Sequence, residues 1–284
     1  MFCAVAGTGS ISSKGDCLNM RVTFLGTGDA GGVPVYGCEC KACERARTDE
    51  SFRRRPCSAL VEAGNTRILI DAGLTDLAER FPPGSLSAIL LTHFHPDHVQ
   101  GLFHLRWGIV DRIPVYAPPD SDGCADLYKN PGLLDFYQLS KFNALTIGEL
   151  TLTPLPLIHS KVTFGYAIED TEGHRFAYLT DTVGLPPKTE SFLKEWMPES
   201  VALDCTHPPQ SETPRNHNDL AIALTIAKKL TPANIWLTHI SHDMDNWLSS
   251  TALKQTKSIQ IARDSMAIQL PIAKEHPNQG CLGA

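Results

Sequence analysis

The sequence of 284 residues lacks several features that mark common classes of protein. No apolar run approaches the roughly 18 to 20 residues of a membrane-spanning helix, so we expect no membrane span. The net charge of −6 argues against a broad surface for nucleic acid. There is no internal repeat and no low-complexity linker. Hydrophobic residues make up 42% of the chain, enough for a substantial core in one large α/β domain or two small ones.

The first nineteen residues have neither the basic region nor the longer apolar stretch of a signal peptide. They also lack periodicity, so we predict a disordered extension over 1–19 and a single domain over 20–284. The alternative for 1–19 is a stretch that arises from an upstream start codon. The nine cysteines are odd in number and unevenly spaced. Without an export signal, this pattern indicates reduced thiols and metal ligands rather than a disulfide framework. We therefore expect a cytoplasmic protein.

Short apolar strands alternate with helical segments from Met20 onward. Among the predicted strands are RVTFLGTG, CSALVEA, TRILIDAG, LSAILLTH, FAYLTDT and IWLTHIS. Helices are predicted in DHVQGLFHLRW and in NHNDLAIALTIAKKL, the second about four turns long with Asn216 as a candidate cap. Several strands end in histidine or aspartate. A rigid sheet commonly presents its functional groups from such strand ends.

The stretch LTHFHPDH brings four ligand-type side chains together. His93 and His95 are two residues apart, so they point the same way on an extended segment. Asp97 and His98 follow a proline, where the chain turns into a helix. Imidazole and carboxylate groups suit zinc, manganese or iron. The spacing therefore predicts a metal-binding loop. Three further apolar strands each end in one residue that could join it: His159, Asp181 and His239.

The order of these residues resembles the metallo-β-lactamase superfamily. The resemblance implies a four-layer αββα sandwich, in the α/β class, with two metal ions at one edge. It gives Asp71 a supporting role beside the ligands and makes Asp181 the bridge between the metals. An aspartate at 181 and a histidine at 95 favour a hydrolase over a β-lactamase or a diiron flavoprotein. The implied ligands are His93, His95 and His159 for one metal and Asp97, His98 and His239 for the other.

Longer stretches are similar to the PhnP family, the phosphodiesterases of the carbon–phosphorus lyase pathway of phosphonate breakdown. They include GGVPVYGCECKAC, PLPLIHSKVTFGY, DCTHPP and PRNHNDL, and the resemblance runs from about Met20 to about residue 270. It implies hydrolysis of 5-phosphoribosyl 1,2-cyclic phosphate to ribose 1,5-bisphosphate. The nucleophile would be a metal-bridging hydroxide that Asp97 orients, and His217 would be the general acid. Manganese is favoured, with zinc or nickel as alternatives, and a homodimer is suggested.

A substrate with a second phosphate needs a cationic contact, for which arginine is the better bidentate partner. Solvated surface is the competing interpretation for each candidate. Asp204 and His207, in the segment DCTHPP, could support the site, but the sequence assigns neither a role. The candidates for phosphate binding are Arg53, Arg54, Arg55, Ser58, Lys161 and Arg215.

Cys38, Cys40 and Cys43 lie within six positions in YGCECKACERAR. A structural zinc needs four ligands, and no fourth cysteine lies nearby. The PhnP resemblance implies that His242 completes a closed zinc site, which would tie this N-terminal loop to the strand end that carries His239.

Two alternatives are a transfer-RNA 3′-processing endonuclease of the same fold and a non-catalytic metal-binding scaffold. The first usually carries a Gly-, Pro- and Lys-rich arm, which this sequence lacks, and the second usually loses ligands, none of which is missing here. We therefore expect a small phosphorylated sugar as the substrate and no nucleic-acid or membrane partner.

Overall fold

Two seven-stranded sheets face each other in the computed structural model, which describes residues 19–251 and 258–271. The predicted N-terminal extension falls outside the described residues, except for Asn19, and so stays a prediction. No helix in the described part of the chain is long and apolar enough to cross a membrane.

The first sheet has the strand order β14-β1-β2-β3-β4-β5-β6. Strands β14, β1, β2 and β3 pair antiparallel, whereas β3 to β6 pair parallel. The strands are β1 (Met20–Gly26), β2 (Ser58–Ala63), β3 (Thr66–Ile70), β4 (Ala88–Leu90), β5 (Ile113–Ala117), β6 (Leu134–Gln138) and β14 (Ala267–Leu270).

The second sheet has the order β13-β12-β11-β10-β9-β8-β7. Its β7 to β10 half is antiparallel and its β10 to β13 half is parallel. The strands are β7 (Leu145–Ile147), β8 (Leu150–Pro156), β9 (Phe164–Asp170), β10 (Arg175–Leu179), β11 (Ser200–Asp204), β12 (Asn234–Thr238) and β13 (Ile259–Ile261).

Eight α-helices lie in the described residues, together with a 3₁₀ turn at Glu50–Phe52. The segment predicted as one helix after Pro96 consists of two short ones, α3 and α4. The helices are α1 (Lys41–Thr48), α2 (Leu77–Arg80), α3 (Pro96–Val99), α4 (Leu102–Leu105), α5 (Ala125–Lys129), α6 (Pro187–Trp196), α7 (Leu220–Leu230) and α8 (His242–Ser250).

The cap of helix α7 differs from the prediction. The Asp219 side chain accepts the N–H of Ile222 at 2.8 Å, so Asp219 is the cap and the prediction of Asn216 was wrong. The carbonyl of Asn216 accepts a hydrogen bond from His159 instead. The helix is therefore 11 residues long, about three turns.

Apolar side chains fill three layers between the four layers of secondary structure. Phe24, Tyr166 and Trp236 belong to the layer between the two sheets. Leu77 and Leu102 pack from helices α2 and α4 onto the outer face of the first sheet. Helices α6 and α7 cover the second sheet in the same way. The predicted four-layer αββα sandwich is confirmed.

The two sheets are joined where their ligand-bearing strand ends meet. The Phe164 N–H donates to the Thr92 carbonyl at 2.9 Å, and the Tyr166 hydroxyl donates to the Leu91 carbonyl at 2.5 Å. Leu91 and Thr92 directly precede His93. Because parallel strands end at the same edge of a sheet, β4, β10, β11 and β12 deliver their following residues to one region.

Arg54 lies at the centre of a buried polar connection. It is 3% exposed, and its guanidinium pairs with Asp245 at 3.1 Å. It also donates to the Thr27 hydroxyl and to the Ala262 carbonyl, each at 2.9 Å. Asp245 accepts a second ion pair from Arg45 at 3.2 Å. These contacts link helix α1 and helix α8 to the loop after β1.

Replacing Asp245 with asparagine should lower the free energy of unfolding by about 3 kcal/mol, because it leaves the Arg54 guanidinium buried without its anion. Equilibrium urea denaturation measures this change. The matched control is Glu50→Gln, which removes an exposed ion pair with Arg53 and should change stability by less than about 1 kcal/mol. Equal losses in the two variants would contradict a framework role for the buried pair.

Candidate metal centre

Three imidazole nitrogens converge at the joined edge of the sheets. His93 Nε2 lies 2.8 Å from His95 Nδ1, and His159 Nε2 lies 3.1 Å from the same atom. Asp181 Oδ2 is 3.6 Å from His93 Nε2 and 3.7 Å from His159 Nε2. The four ligand atoms lie within 4.8 Å of one another, so they can share one cation.

A second group of ligand-type side chains also contacts Asp181. His98 Nε2 is 3.2 Å from Asp97 Oδ2 and 3.4 Å from Asp181 Oδ2. His239 Nε2 is 3.3 Å from the other oxygen, Asp181 Oδ1. The structure thus brings all seven predicted ligands together, with Asp181 between two groups.

Asp71 organises the first-sheet ligands from behind. Its Oδ2 accepts a hydrogen bond from His98 Nδ1 at 2.7 Å, and its Oδ1 accepts the Thr92 N–H at 2.8 Å. The Thr92 hydroxyl donates to Asp71 and lies 3.0 Å from His93 Nδ1, from which it can accept. Both histidines then carry their proton on Nδ1 and turn the Nε2 lone pair towards the cluster.

Asp204 has the equivalent position in the second sheet. Its Oδ1 accepts the hydroxyl proton of Thr206 at 2.9 Å, and that hydroxyl lies 2.8 Å from His239 Nδ1. Its Oδ2 accepts the Thr182 N–H at 3.0 Å and His217 Nδ1 at 2.9 Å. Asp204 lies close enough to Asp181 and His239 to share a metal ion with them. Both of its oxygens already accept hydrogen bonds, however, so we assign it the role of positioning its neighbours. The signal in the sequence is its place at the end of β11.

Two buried nitrogens test whether the cluster fits metal ions. His98 Nε2 and His239 Nε2 have no hydrogen-bond partner among the described residues. A buried polar atom without a partner is costly, and each of these faces other electron-pair donors. Histidine and carboxylate ligands of this kind fit divalent ions such as zinc or manganese.

The electrostatics of the cluster also fit a cation. Burial alone would lower the pKa of His98, but Asp71 and Asp181 hold it well above its usual range. Burial alone would raise the pKa of Asp181, but His239 and His98 hold it well below its usual range. These pKa directions indicate that positive charge is favourable beside Asp181, as a bound metal ion would supply.

His217 lies beside both groups of ligands. Its ring stacks on His239 with centroids 4.8 Å apart, and it lies 4.9 Å from the ring of His159. Burial lowers its pKa, but the hydrogen bond and charge of Asp204 outweigh this effect and raise the pKa of His217 to about 9. The half-buried His207 lies 6.2 Å away, edge towards the His217 ring. His217 is therefore held against the ligand cluster, with its Nδ1 on Asp204.

The three clustered cysteines lie against the first residue of helix α8. Cys38 Sγ is 3.4 Å and Cys40 Sγ 3.8 Å from His242 Nδ1, and Cys43 Sγ accepts the Val35 N–H at 3.3 Å. The four donors lie within 4.8 Å of one another. The backbone N–H of Cys40 lowers the pKa of Cys38 to about 7, whereas burial raises that of Cys43 to about 12. A Cys₃His donor set fits a closed zinc site.

Two of the six candidates for phosphate binding, Arg54 and Ser58, are buried in other contacts, which corrects the prediction for them. A third, Arg53, makes contacts at the surface and stays a prediction. Arg54 is buried against Asp245. Arg53 pairs with Glu50 and donates to the Ala46 carbonyl. Ser58 is buried and donates to the backbone carbonyls of Ile70 and Asp71, so it supports the turn that holds Asp71. Their neighbours in the fold, not their sequence, decide these roles.

The other three candidates are accessible. Arg55 is 3.7 Å from Asp76, and about half of its side chain is exposed. Lys161 lies two residues after His159 and 4.0 Å from Asp120. Arg215 is exposed, two residues before His217. These three side chains stay available to a substrate.

Comparisons with known proteins agree with this architecture. The model of the beta-lactamase superfamily domain matches residues 66–240. The crystal structure of a diphosphatase from the PhnP family aligns with a TM-score of 0.75 and 27% identity, over 88% of this chain and 97% of that one.

Curated relatives match over shorter lengths. An octanoyltransferase of Porphyromonas gingivalis is 34% identical over 176 residues, which are 57% of this chain and 35% of that protein. A ribonuclease Z of Methanopyrus kandleri is 30% identical over 155 residues, or 51% of this chain and 49% of that protein. The chain therefore spans between a third and a half of these relatives, and octanoyl transfer is a property of that whole protein only.

Substituting Cys40 with serine should remove the zinc held by the cysteine cluster and lower the free energy of unfolding by about 2 kcal/mol or more. Metal retention at the histidine cluster should fall as well, because His242 and His239 share one strand end. Elemental analysis and thermal denaturation measure both effects. Cys124→Ser, a thiol outside the cluster, is the control. Full metal content and normal stability in Cys40→Ser would argue against a structural zinc site that supports the strand end of His239.

Exchanging Asp71 for asparagine should weaken metal binding at the histidine cluster about 10- to 100-fold, because His98 loses the acceptor that fixes its tautomer. Asparagine tolerates the left-handed backbone at this position, where φ is 59°. Affinity is measured by titrating zinc or manganese into the metal-free protein. Asp170→Asn, another buried aspartate, serves as the control. The role of Asp71 would have to be abandoned if both variants bound metal as tightly as the wild type.

Proposed function

This chain belongs to the beta-lactamase superfamily, and we propose that it is a phosphodiesterase that hydrolyses 5-phosphoribosyl 1,2-cyclic phosphate to ribose 1,5-bisphosphate. The proposal starts from a hydrolase of the metallo-β-lactamase fold. The observation that carries the proposal is the hydrogen-bonded His217–Asp204 pair, which lies directly beside the seven clustered ligands. Such an arrangement supplies both an electrophilic site and a proton donor, and hydrolysis of a phosphodiester needs both.

The site would hold two divalent ions with Asp181 shared between them. His93, His95 and His159 would complete one set, and Asp97, His98 and His239 the other. Bound divalent ions polarise a phosphoryl oxygen and lower the pKa of water towards neutrality. The resemblance to the PhnP family favours manganese, with zinc or nickel as alternatives, and a separate structural zinc on Cys38, Cys40, Cys43 and His242.

The chain's own residues have defined tasks in this reaction. Asp97, one oxygen of which lies near His98, accepts a hydrogen bond from the attacking water and orients it. His217 donates the proton on Nε2 to the departing sugar oxygen, since its Nδ1 is held by Asp204. The His217 side chain is 20% exposed, so the ring can recover a proton from solvent. Asp204 keeps the ring oriented and stabilises its positive form.

The charge distribution supports a small anionic substrate. With a net charge of −6, the chain has no general attraction for polyanions. Lys161 and Arg215, each two residues from a histidine of the site, offer local positive charge, and Arg55 is a further accessible cation. A phosphorylated sugar requires only such local contacts. A cytoplasmic location, a homodimer and a role in phosphonate breakdown belong to the same proposal.

The ribonuclease Z relative supports one alternative, cleavage of precursor transfer RNA, and a non-catalytic scaffold is another. Turnover of bis-p-nitrophenyl phosphate beside a precursor transfer RNA separates the two enzyme functions. Cleavage of the RNA alone would sink the cyclic-phosphate proposal. Purified protein without any transition metal would revive the scaffold.

His217→Ala should reduce kcat for the cyclic ribose phosphate by about 10²- to 10⁴-fold, the range of general acid catalysis, while both metals remain bound. Steady-state kinetics and elemental analysis on the same preparation test this. His174→Ala, on the turn between β9 and β10, provides the matched histidine control. An unchanged kcat in His217→Ala would remove this residue from its role.

A further inference from the structure

A groove of about 700 Å³ is lined on both sides of His159 in the sequence, by Leu157 and by Lys161. One wall is the end of β6 and the chain that follows it, with Gln138, Ser140 and Lys141. The opposite wall is the loop between β8 and β9, with Lys161 and Val162. We refer to it as the β6–β8 groove. Its volume lies within the range of small-molecule sites.

The β6–β8 groove shares a wall with the metal ligands. The Leu157 N–H donates to the Thr163 carbonyl at 3.0 Å, and the loop closed by this hydrogen bond carries His159. The next residue, Ser160, places its hydroxyl 3.3 Å from His95 Nε2. One loop therefore carries a candidate metal ligand and also lines the groove.

The groove is positively charged. Its described lining contains two lysines and no aspartate or glutamate. Lys161 is 4.0 Å from Asp120, longer than a hydrogen bond, and a third of its side chain is exposed. Lys141 is exposed and has no ion pair among the described residues. Both ammonium groups can therefore turn to an anion, and Ser140 and Gln138 add exposed polar side chains beside them.

Apart from Thr163, the rest of the lining is apolar. Leu139, Leu157 and Phe164 are buried beneath the lysines, and Val162 is 47% exposed. A concave site with an apolar base and few converging charges fits a small organic anion. A single strand of nucleic acid would need a longer row of basic residues and several aromatic rings for its bases to stack on. The described lining has two lysines and one aromatic residue, Phe164.

We propose that the β6–β8 groove binds the phosphomonoester of the substrate, with Lys161 and Lys141 contacting that group while the scissile phosphate lies at the metal centre. This assignment rests on the proposed function and extends it, because it makes the groove the determinant of specificity for a substrate with two phosphates. Lysine serves here as a point charge towards the phosphate dianion. Lys141 was not among the candidates for phosphate binding that the sequence suggested.

The test compares 5-phosphoribosyl 1,2-cyclic phosphate with ribose 1,2-cyclic phosphate, which lacks the phosphomonoester. The measured quantity is the ratio of their kcat/KM values. Lys161→Met and Lys141→Met should each reduce this ratio at least about tenfold, because each loses a charge-assisted contact that only one substrate makes. Lys228→Met, which removes an exposed lysine from helix α7, should leave the ratio unchanged. An unchanged ratio in both groove variants would overturn the assignment.

A binding experiment separates this inference from the proposed reaction. If the wild type hydrolyses neither ester, the proposed function fails, but calorimetry with ribose 5-phosphate still tests the groove. The metal-loaded wild type should bind ribose 5-phosphate more tightly than ribose, and the double variant Lys141→Met, Lys161→Met should lose that difference. Equal binding of the two sugars by the wild type would overturn the groove assignment independently of turnover.

Discussion

The burial of Asp181 among histidines is the constraint on which the rest of the site depends. This carboxylate is 2% exposed and lies within 4 Å of ring nitrogens from His93, His98, His159 and His239. A buried carboxylate and several buried imidazoles are each costly alone. Together they become stable when positive charge lies between them, so the same contacts that burden the apoprotein create affinity for cations.

Two parallel chains of hydrogen bonds keep the ligand nitrogens directed at that point. In the first sheet, Asp71 holds Thr92, whose hydroxyl faces His93. In the second sheet, Asp204 holds Thr206, whose hydroxyl faces His239. Each aspartate also holds a further histidine directly, His98 in one case and His217 in the other. His98 in the first sheet and His217 in the second thus have equivalent supports. The first is a candidate metal ligand and the second a candidate proton donor.

The N-terminal loop is joined to this edge by contacts between distant parts of the chain. The cysteine cluster reaches His242, while Arg45 and Arg54 both pair with Asp245 in the same helix. Because His239 lies just before that helix, the loop restrains the strand end that carries a ligand. The β6–β8 groove lies beside the other wall of the site, in the loop of His159. Structural support and proposed substrate selection therefore occupy different loops around one rigid edge.

The sequence by itself indicated the alternation of strands and helices, the strand ends that carry histidine or aspartate, and the three clustered cysteines, since these follow from local patterns and motif spacing. The αββα fold and the place of His242 beside the cysteines came from its resemblance to known families. Tertiary structure decided which charged side chains are accessible. Arg53, Arg54 and Arg55 are consecutive and chemically alike, yet Arg54 is buried in an ion pair and Arg55 stays exposed. The role of Asp204 and the groove at Lys141 likewise required the fold. Burial and hydrogen-bond partners come from residues far apart in the chain, and local spacing carries no record of them.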